Sequence, residues 1–349
     1  METTMWTVDK DVDNLVTYPQ IIEAAEKLKG NEVVAFPTET VYGLGGNAKD
    51  DGAVAKIFAA KGRPGDNPLI IHISNLGQLE HFAVNISETA QILMETFWPG
   101  PLTLVLEKRE GVLSEKATAG LSTVAVRMPG HPVALALIEA SGLPIAAPSA
   151  NVSGKPSPTT AAHVHEDLDG RIAGIVDGGP TGVGVESTVV DCTGKYPVIL
   201  RPGGITREQL EETVGKIGED PALTDSSQVP KSPGMKYRHY APDSPLYLVD
   251  GSAAAIQQLV DEKRAAGMKV AVMTTEENKG FYRADIIIAC GRRSKLETVA
   301  ESLYDTLRSF NETDADIIFG EVFPVAGVGE AVMNRLTKAS GNPIITKNL

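Results

Sequence analysis

Short apolar runs that stop abruptly at polar residues recur along the first two thirds of the chain. One such run, LPIAA at 143–147, has the length of a buried strand, and Ser149, Asn151, Ser157 and Thr159 follow it closely. In open α/β sheets, ligands bind beyond the carboxyl ends of the strands. The stretch therefore predicts either one wall of a ligand site or a polar surface loop, and it does not decide between them by itself.

The same pattern of an apolar strand bordered by small, polar or cationic residues occurs at several other places. The five regions are 37–46, 61–67 together with residue 72, 123–127, 148–159 and 187–201. Because several predicted strands carry such clusters, we expect them to meet on one α/β sheet. The pattern predicts a concave site that binds an anionic and polar ligand.

The glycine-rich segment PTETVYGLGGNA (37–48) is predicted to be a loop after the strand EVVAF (32–36). Its Gly43-x-Gly45-x-x-Ala48 spacing formally matches the dinucleotide fingerprint. The acidic residue that such a site requires about 20 positions later is replaced here by Lys61 and Arg63, so this interpretation is rejected. The glycines instead let the backbone approach a ligand closely, or they form a plain tight turn.

Cations stand at four of these five strand regions. Lys61 and Arg63 end a predicted helix, where they complement the helix dipole, but a rigid Pro/Gly loop follows at once. A point charge beside a planar fork suits a polyphosphate. Arg127 interrupts the apolar strand TVAVRMP (123–129), so it requires a partner, which is either an anionic ligand or an internal carboxylate. His72, within the strand LIIHI (69–73), is by base rate a core histidine.

The chain divides into three regions by composition. Residues 1–217 carry the strand-and-cluster pattern, and residues 218–245 are rich in Pro and Ser and lack periodicity, as in a linker. Within this linker, SPGMKYRHYAP (232–242) is predicted to be a loop that reaches back over the site. Residues 246–349 alternate strand and helix patterns, which predicts a second, smaller, mostly parallel sheet.

The charge and cysteine content limit the possible partners and compartment. The net charge of the chain is −13, and residues 1–217 hold 17 Lys and Arg against 27 Asp and Glu, or −10. A basic nucleic-acid surface is therefore not expected. No apolar run reaches membrane-spanning length, no signal-peptide pattern is present, and two distant cysteines form no metal or redox motif. These features predict a cytoplasmic protein.

Common catalytic motifs are absent from the sequence. There is no Walker A motif, no GxSxG elbow, no HExxH motif and no cysteine in a nucleophile context. Catalysis by positioning and charge stabilisation is therefore expected, and the cations, hydroxyls and amide suit ATP or another nucleotide.

Taken in order, the motifs resemble those of one family. They are PTETVYGLG, KGRPGDNPLIIHI, WPGPLT, VAVRMP, APSANVSGKPSPT, VESTVVD and LRPGGI. In this order they are similar to the YrdC-type L-threonylcarbamoyladenylate synthase family, and SPGMKYRHYAP with a C-terminal α/β domain matches its long form. The resemblance implies an α/β fold: a twisted, concave mixed sheet with flanking helices, plus a smaller Rossmann-like domain.

The resemblance also implies an activity, the condensation of L-threonine, bicarbonate and ATP to threonylcarbamoyl-AMP and pyrophosphate. A downstream transferase complex then modifies adenosine in tRNA, direct tRNA binding is weak or absent, and Mg²⁺ is held by the ATP phosphates rather than by protein ligands. Implied ATP-binding residues are Lys61, Arg63, Asn67, Thr123, Ser149, Asn151, Ser157, Arg201 and, from the lid, Tyr240; Lys61, Arg63, Ser149 and Asn151 are the implied catalytic set. Implied threonine-binding residues are Thr40, His72, Arg127 and Ser187.

Two other functions are compatible with the same fold. One is an RNA-binding or ribosome-assembly module, which the acidic first region disfavours. The other is a carbamoyltransferase that acts on carbamoyl phosphate, for which the sequence offers no acylphosphatase-like or zinc-finger segment.

Overall fold

The computed structural model describes residues 2–221 and 239–347. The described chain forms two compact units. The first comprises residues 2–153, 157–182 and 186–221, and the second comprises 154–156, 183–185 and 239–347. Most of the predicted linker, including Lys236, Tyr237 and Arg238 of the predicted lid, lies outside the described residues. Residues 218–219, at the start of the predicted linker, form the last short strand of the first sheet.

The first unit is built on one mixed, 12-stranded sheet. Its strands are β1 (Thr4–Thr7), β2 (Val34–Phe36), β3 (Gly43–Asn47), β4 (Ile70–His72), β5 (Ala83–Val84), β6 (Leu102–Lys108), β7 (Thr123–Arg127), β8 (Ile145–Ala147), β9 (Gly174–Asp177), β10 (Thr188–Asp191), β11 (Val198–Arg201) and β12 (Gly218–Glu219). Their order across the sheet is β1-β9-β2-β3-β8-β4-β7-β6-β10-β11-β12, with β5 paired to β6. Parallel and antiparallel pairs alternate irregularly, so the predicted mixed sheet is confirmed.

Helices flank this sheet as predicted. They are α1 (Pro19–Lys29), α2 (Asp51–Lys61), α3 (Leu76–Leu79), α4 (Glu88–Phe97), α5 (Glu115–Thr118), α6 (Pro132–Ser141), α7 (Ala161–Leu168) and α8 (Arg207–Val214). The pattern Thr206-x-x-Gln209 in the sequence predicts a capping box, and this capping box is present at the start of α8. The spacing of Val54, Ile57 and Phe58 predicts one apolar face of a helix, and α2 buries these three residues.

The segment 43–47, predicted to be a loop, is instead the strand β3, and this prediction was wrong. Glycine has a low intrinsic preference for strands, so the sequence signal is weak. Pairing on both sides, with β2 and β8, overrides that preference. A Cβ at Gly45 would stand 2.7 Å from the Phe36 ring and 2.8 Å from Ile145, so glycine is required there by packing against side chains.

The central strands β4, β7, β6 and β10 present two different faces. One face packs on the helices through alternating residues such as Ile71, Leu104 and Val126, which belong to the main core of the unit. The opposite face carries a small apolar cluster of Ile70, Val105, Ala125, Val189 and Leu200. Because successive strand residues point to opposite faces, the polar residues two positions from this cluster share its face.

The second unit is a five-stranded, all-parallel sheet with helices. Its elements are β13 (Leu246–Gly251), α9 (Ala253–Ala265), β14 (Val270–Thr274), β15 (Ile286–Ala289), α10 (Leu296–Ser309), β16 (Ile317–Glu321), α11 (Val328–Ser340) and β17 (Ile345–Lys347). The strand order is β15-β14-β16-β13-β17. The predicted α/β class is confirmed, with one difference from the dinucleotide-binding order, since β16 lies between β13 and β14.

Two further observations concern the described chain as a whole. No helix in these ranges combines the length and apolar character needed to cross a membrane. Both cysteines, Cys192 and Cys290, are buried and unpaired thiols, and burial raises the pKa of each to about 12. Such thiols stay protonated at neutral pH and pack as small apolar side chains.

Candidate active site

Polar side chains border the small apolar cluster on the face of the central strands that lies opposite the main core, and these side chains are buried as well. His72 ends β4 and Arg127 ends β7, and the parallel register of the two strands makes them direct neighbours. Farther along the sheet, Val189 of β10 pairs with Thr103 of β6 on one side and with Arg201 of β11 on the other. The mixed sheet thus brings residues from strand starts and strand ends to one face, whereas the sequence suggested carboxyl ends alone.

Arg127 is nearly fully buried and is paired with an internal carboxylate. Its guanidinium lies 2.7 Å from Glu39 Oε1, donates to Thr40 Oγ1 at 2.9 Å and donates through Nε to the Gly100 carbonyl at 3.3 Å. Burial by itself would raise the pKa of Glu39, but the charge of Arg127 and backbone hydrogen bonds bring it below its ordinary value. Glu39 is therefore charged, and it supplies the internal partner that the sequence left as one of two options.

The two histidines near Arg127 are both neutral at physiological pH. Burial, and then the charge of Arg127, lower the pKa of His72 to about 3. Burial lowers the pKa of His131 to about 4, against the opposing effect of Glu39. His72 Nδ1 lies 3.2 Å from the Ile70 carbonyl, which fixes the ring. His72 thus offers a neutral imidazole rather than a second cation.

Arg201 and Ser187 form a second cluster on the neighbouring strands. The Arg201 side chain donates twice to the Ser187 carbonyl, at 3.1 and 2.9 Å, and once to Ser187 Oγ at 3.1 Å. The Ser187 hydroxyl also lies 2.7 Å from Thr103 Oγ1. These contacts link β6, β10 and β11 and hold the Ser187 hydroxyl in one place.

Lys61 is completely buried and holds the loop that follows β8. Its ammonium donates to the backbone carbonyls of Ser149 at 2.5 Å and of Asn151 at 2.7 Å. Burial, and then the nearby charge of Arg63, lower the pKa of Lys61 to about 7. Three of the predicted catalytic residues are thus in direct contact, and the contact uses backbone oxygens of the serine and the asparagine.

Arg63 and Asn67 lie in the loop after α2. The helix ends at Gly62, whose φ of 62° lies in the left-handed region that favours glycine. Arg63 follows directly after this helix end. Arg63 is buried. The Asn67 side chain is buried as well, and within residues 2–221 and 239–347 its Nδ2 has no hydrogen-bond partner. A buried amide donor without a protein partner fits a site for an anion or another acceptor.

Ser157 and Thr123 complete the predicted ATP set within this unit. The Ser157 hydroxyl is buried and donates to Glu186 Oε1 at 2.7 Å, and Glu186 also interacts electrostatically with Lys61. Thr123 begins β7 and Arg127 ends it, on the same strand face, so about 13 Å separates their Cα atoms at ~3.3 Å per residue. Thr123 therefore belongs to another part of this face than Arg127.

Tyr240 belongs to the second unit. It adopts a left-handed backbone conformation with φ of 65°, is buried, and packs its ring 5.1 Å from that of Tyr304. Its predicted role in ATP binding stays a prediction. Of the 13 predicted site residues, the other twelve lie in the first unit.

Sequence reasoning missed three polar residues of this site. Glu39, Thr103 and Glu186 contact the predicted residues Arg127, Ser187 and Ser157 respectively. A signal existed for Glu39 and Glu186, since each is a carboxylate beside hydroxyl residues in a glycine-rich segment next to a strand. The sequence contains no such signal for Thr103, because threonine is an ordinary residue in a strand.

The chain offers little for a protein-bound metal ion. In the part of the chain that the structure describes, no three His, Cys, Asp or Glu side chains group closely enough to hold one. The donor set of the site is dominated by cations, hydroxyls and amides, which suit phosphate oxygens better than a divalent ion.

Family models match both units of the chain. Residues 26–203 match the Sua5/YciO/YrdC model, described as "Telomere recombination". Residues 205–341 match the model described as "Threonylcarbamoyl-AMP synthase, C-terminal domain".

Individual relatives are similar over nearly the whole length. The threonylcarbamoyl-AMP synthase of Bacillus subtilis is 59% identical over 345 residues, which cover 99% of this chain and 100% of that protein. The threonylcarbamoyl-AMP synthase of Pyrococcus abyssi is 51% identical over 327 residues, 92% of this chain and 94% of that protein. The crystal structure of P. abyssi Sua5 complexed with L-threonine superimposes with a TM-score of 0.91 at 48% identity, covering 99% of this chain and 100% of that one.

Proposed function

Because the chain belongs to the threonylcarbamoyl-AMP synthase family in its two-domain form, we propose that it condenses L-threonine, bicarbonate and ATP to threonylcarbamoyl-AMP and pyrophosphate. The product supplies the threonylcarbamoyl group for the modification of adenosine in tRNA. The observation that carries the proposal is a set of four buried cations in the first unit. They are Lys61, Arg63, Arg127 and Arg201.

The triphosphate of ATP is assigned to Lys61, Arg63 and the residues near them. Buried cations in a low-dielectric environment interact strongly with phosphate oxygens, and the free Nδ2 donor of Asn67 adds a neutral contact. Lys61 also fixes the 149–151 backbone through two carbonyl contacts. The loop that carries Ser149 and Asn151 is thereby positioned before ATP arrives, which lowers the entropic cost of binding.

L-Threonine is assigned to the part of the face around Arg127. The guanidinium can take a second carboxylate beside Glu39, since its planar fork carries five N–H donors. Thr40 and Ser187 provide hydroxyls, and the neutral ring of His72 adds no further positive charge that would repel an amine. Support for this assignment comes from the related P. abyssi protein, whose structure was determined in complex with L-threonine.

The proposed reaction has two steps. The threonine amine first attacks the carbon of bicarbonate-derived CO₂ and loses a proton, which gives an N-carboxylate. An oxygen of this carbamate then attacks the α-phosphorus of ATP, and the bond to the β-phosphate breaks to release pyrophosphate. The chain's own contribution is to align the two substrates and to stabilise negative charge on the phosphates with Lys61 and Arg63. We expect no protein general base.

Mg²⁺ stays a proposed cofactor. The ATP phosphates would hold it, and when bound it supplies Lewis-acid stabilisation of the phosphate charge. The downstream transferase complex and a cytoplasmic location are proposals of the same kind.

The deciding experiment measures pyrophosphate release from ATP by the full-length chain in the presence of bicarbonate, with and without L-threonine. We expect strong stimulation by L-threonine, and a weaker response to L-serine as the matched amino acid. Omission of bicarbonate, under CO₂-free conditions, should abolish the stimulation. Release that is unaffected by L-threonine would contradict the proposed function.

A further inference from the structure

A polar cavity of about 260 Å³ lies at the carboxyl ends of β13 and β16 in the second unit. The chain leaves β13 through α9 toward β14, and it leaves β16 through α11 toward β17, which is the opposite direction along the sheet. Right-handed connections in opposite directions place the two helices on opposite faces. A crevice at such a position is where α/β sheets bind their ligands.

The floor of the cavity is a buried carboxylate at the end of an apolar row. Ile317, Phe319 and Glu321 share one face of β16, and only the last of them is polar. Glu321 is 4% exposed and accepts from the Thr274 hydroxyl, from Asn278 Nδ2 at 3.0 Å and from Tyr282 Oη at 3.2 Å. The network therefore draws on the loops that follow β14 as well as on β16.

Stability alone does not account for this network. Burial of a charged group carries a desolvation cost, and well-packed apolar residues of similar volume usually stabilise a fold as well or better. The neighbouring rows of the same sheet are apolar, so an apolar residue at 321 would continue the existing core. A fully hydrogen-bonded carboxylate that faces a cavity is instead typical of a preorganised binding site.

Arg293 forms the rim of the cavity and is held in place from three sides. Its guanidinium donates to Glu321 Oε2 at 3.2 Å and to the Val322 carbonyl at 2.9 Å, and it lies 5.6 Å from the centre of the Phe323 ring. The backbone N–H of Arg293 donates to Glu277 Oε2 at 3.0 Å, which ties the loops after β14 and β15 together. The side chain is nevertheless 43% exposed, so it remains accessible to a ligand.

The charges around the cavity select the class of ligand. The lining contains one cation, Arg293, and two carboxylates, Asp250 and Glu321, together with the start of helix α9. The helix terminus contributes roughly half a positive charge, so the total is slightly negative and does not favour a simple anion. A molecule with one carboxylate and one ammonium matches this arrangement, because each of its charges finds an opposite partner.

The volume limits the size of the ligand. At roughly 30 Å³ per water molecule, the cavity corresponds to about nine waters. That is below the ~300–1,000 Å³ of pockets for drug-sized molecules, so the enclosed space suits a molecule smaller than a nucleotide.

We propose that the second unit carries a binding site for a small zwitterionic metabolite of the α-amino acid type, at the carboxyl ends of β13 and β16. The ligand carboxylate pairs with Arg293 and the first-turn N–H groups of α9, and its ammonium pairs with Asp250. Glu321 does not contact the ammonium directly but fixes Arg293, Asn278 and Tyr282. None of the lining residues is among the residues assigned to L-threonine in the first unit, and the proposal does not depend on the proposed function.

The test is a residue-resolved NMR titration of the full-length, isotope-labelled chain with a panel of free L-amino acids, and with inorganic phosphate as the purely anionic probe. We expect saturable shifts of the backbone signals of residues 251–253, 278 and 293 with at least one amino acid, and none with phosphate. Signals of the first unit report separately on L-threonine bound there.

Two variants of the cavity and one matched control sharpen the test. Arg293→Met removes the cation, and Ala253→Leu fills the cavity while leaving every charge in place; each should weaken binding at least tenfold. Arg292→Met removes the adjacent, exposed arginine, which does not line the cavity, and should bind as the unmodified chain does. The dispersion of the spectra checks that each variant is folded.

Three results would overturn the proposal. They are the absence of saturable shifts in these residues with every amino acid of the panel, binding by the Arg293→Met and Ala253→Leu variants that equals binding by the unmodified chain, and saturable binding of phosphate alone. The last result would reassign the cavity to anions.

Discussion

At the scale of single residues, the buried ion pair of Arg127 and Glu39 should contribute to stability. The Arg127 side chain is 4% exposed and that of Glu39 is 16% exposed. Glu39→Gln removes the negative partner and leaves a buried guanidinium without a counter-charge, so we expect a loss of about 3–5 kcal/mol in the free energy of unfolding. Urea denaturation measures this loss.

The control for this prediction is an ion pair at the surface. Lys29 and Glu26 are 44% and 62% exposed, so Glu26→Gln should cost less than about 1 kcal/mol. Equal losses in the two variants would show that the Arg127 pair is screened by solvent like an ordinary surface pair.

Lys61 should make ATP binding depend on pH. Its pKa of about 7 in the free protein means that the ammonium loses its proton as the pH rises above 7. Because the phosphates bind the charged form, the dissociation constant for ATP should rise with pH, approaching tenfold per unit above pH 7. Calorimetric titrations from about pH 6 to pH 9 test this. Lys61→Arg keeps the charge throughout, and an unchanged slope in that variant would assign the pH dependence elsewhere.

The lowered pKa of Lys61 also makes the free energy of unfolding depend on pH. In the unfolded chain Lys61 has its ordinary pKa of 10.5, so between about pH 7 and 10.5 the unfolded state binds more protons than the folded state. The contribution of Lys61 therefore makes the free energy of unfolding increase as the pH rises through this window, and the cost of burying its charge is fully present below pH 7.

At the scale of elements, the loop after β11 packs closely against the backbone of the segment that carries Ser187. A Cβ at Gly203 would lie 2.3 Å from the Glu186 carbonyl oxygen and 2.4 Å from Thr188 N, both of them backbone atoms. Gly203→Ala should therefore displace residues 186–188 and lower kcat/KM for L-threonine at least tenfold. Gly194→Ala, whose nearest neighbour would be 3.6 Å away, should leave this value unchanged in steady-state assays. Equal kcat/KM values in the two variants would show that the 186–188 segment adapts without effect.

A comparison of individual elements shows which signals in the sequence are sufficient to predict a helix or a strand. The capping box of α8 was predictable because Thr206 and Gln209 satisfy each other's backbone locally. Strand β3 was not predictable, because the need for glycine at position 45 depends on the Phe36 and Ile145 side chains of the two neighbouring strands, which approach it only in the folded sheet. The short strand β17 was also missed, since its pairing with β13 adds the stability that three residues lack by themselves.

The site shows the same division. A single arginine in an apolar strand was enough to predict that Arg127 has an anionic partner, but the choice of Glu39 depends on how the loop after β2 folds across the sheet. Likewise the resemblance to the family implied Lys61, Ser149 and Asn151 as a group, whereas the use of the two backbone carbonyls appears only in the folded chain.

At the scale of the whole molecule, the net charge predicts how strongly the protein binds nucleic acid. With a net charge of −13, the chain repels a polyanion at long range. We expect its dissociation constant for tRNA at physiological salt to be larger than about 10 μM, as for non-specific binding. Fluorescence anisotropy with labelled tRNA measures it, with the same titration at low salt as a reference. Submicromolar, saturable binding would favour the RNA-binding alternative.

The strand order of the second unit has a consequence for biosynthesis. Strand β16 fills the position between β13 and β14, but it starts only at Ile317, after both neighbours have left the ribosome. A growing chain that ends before this point holds β14 and β13 without the strand that joins them. The sheet is thus completed late in translation. A chain truncated inside α10 would lack both β16 and β17, so it would leave both edges of β13 and one edge of β14 unpaired, and such edges invite aggregation.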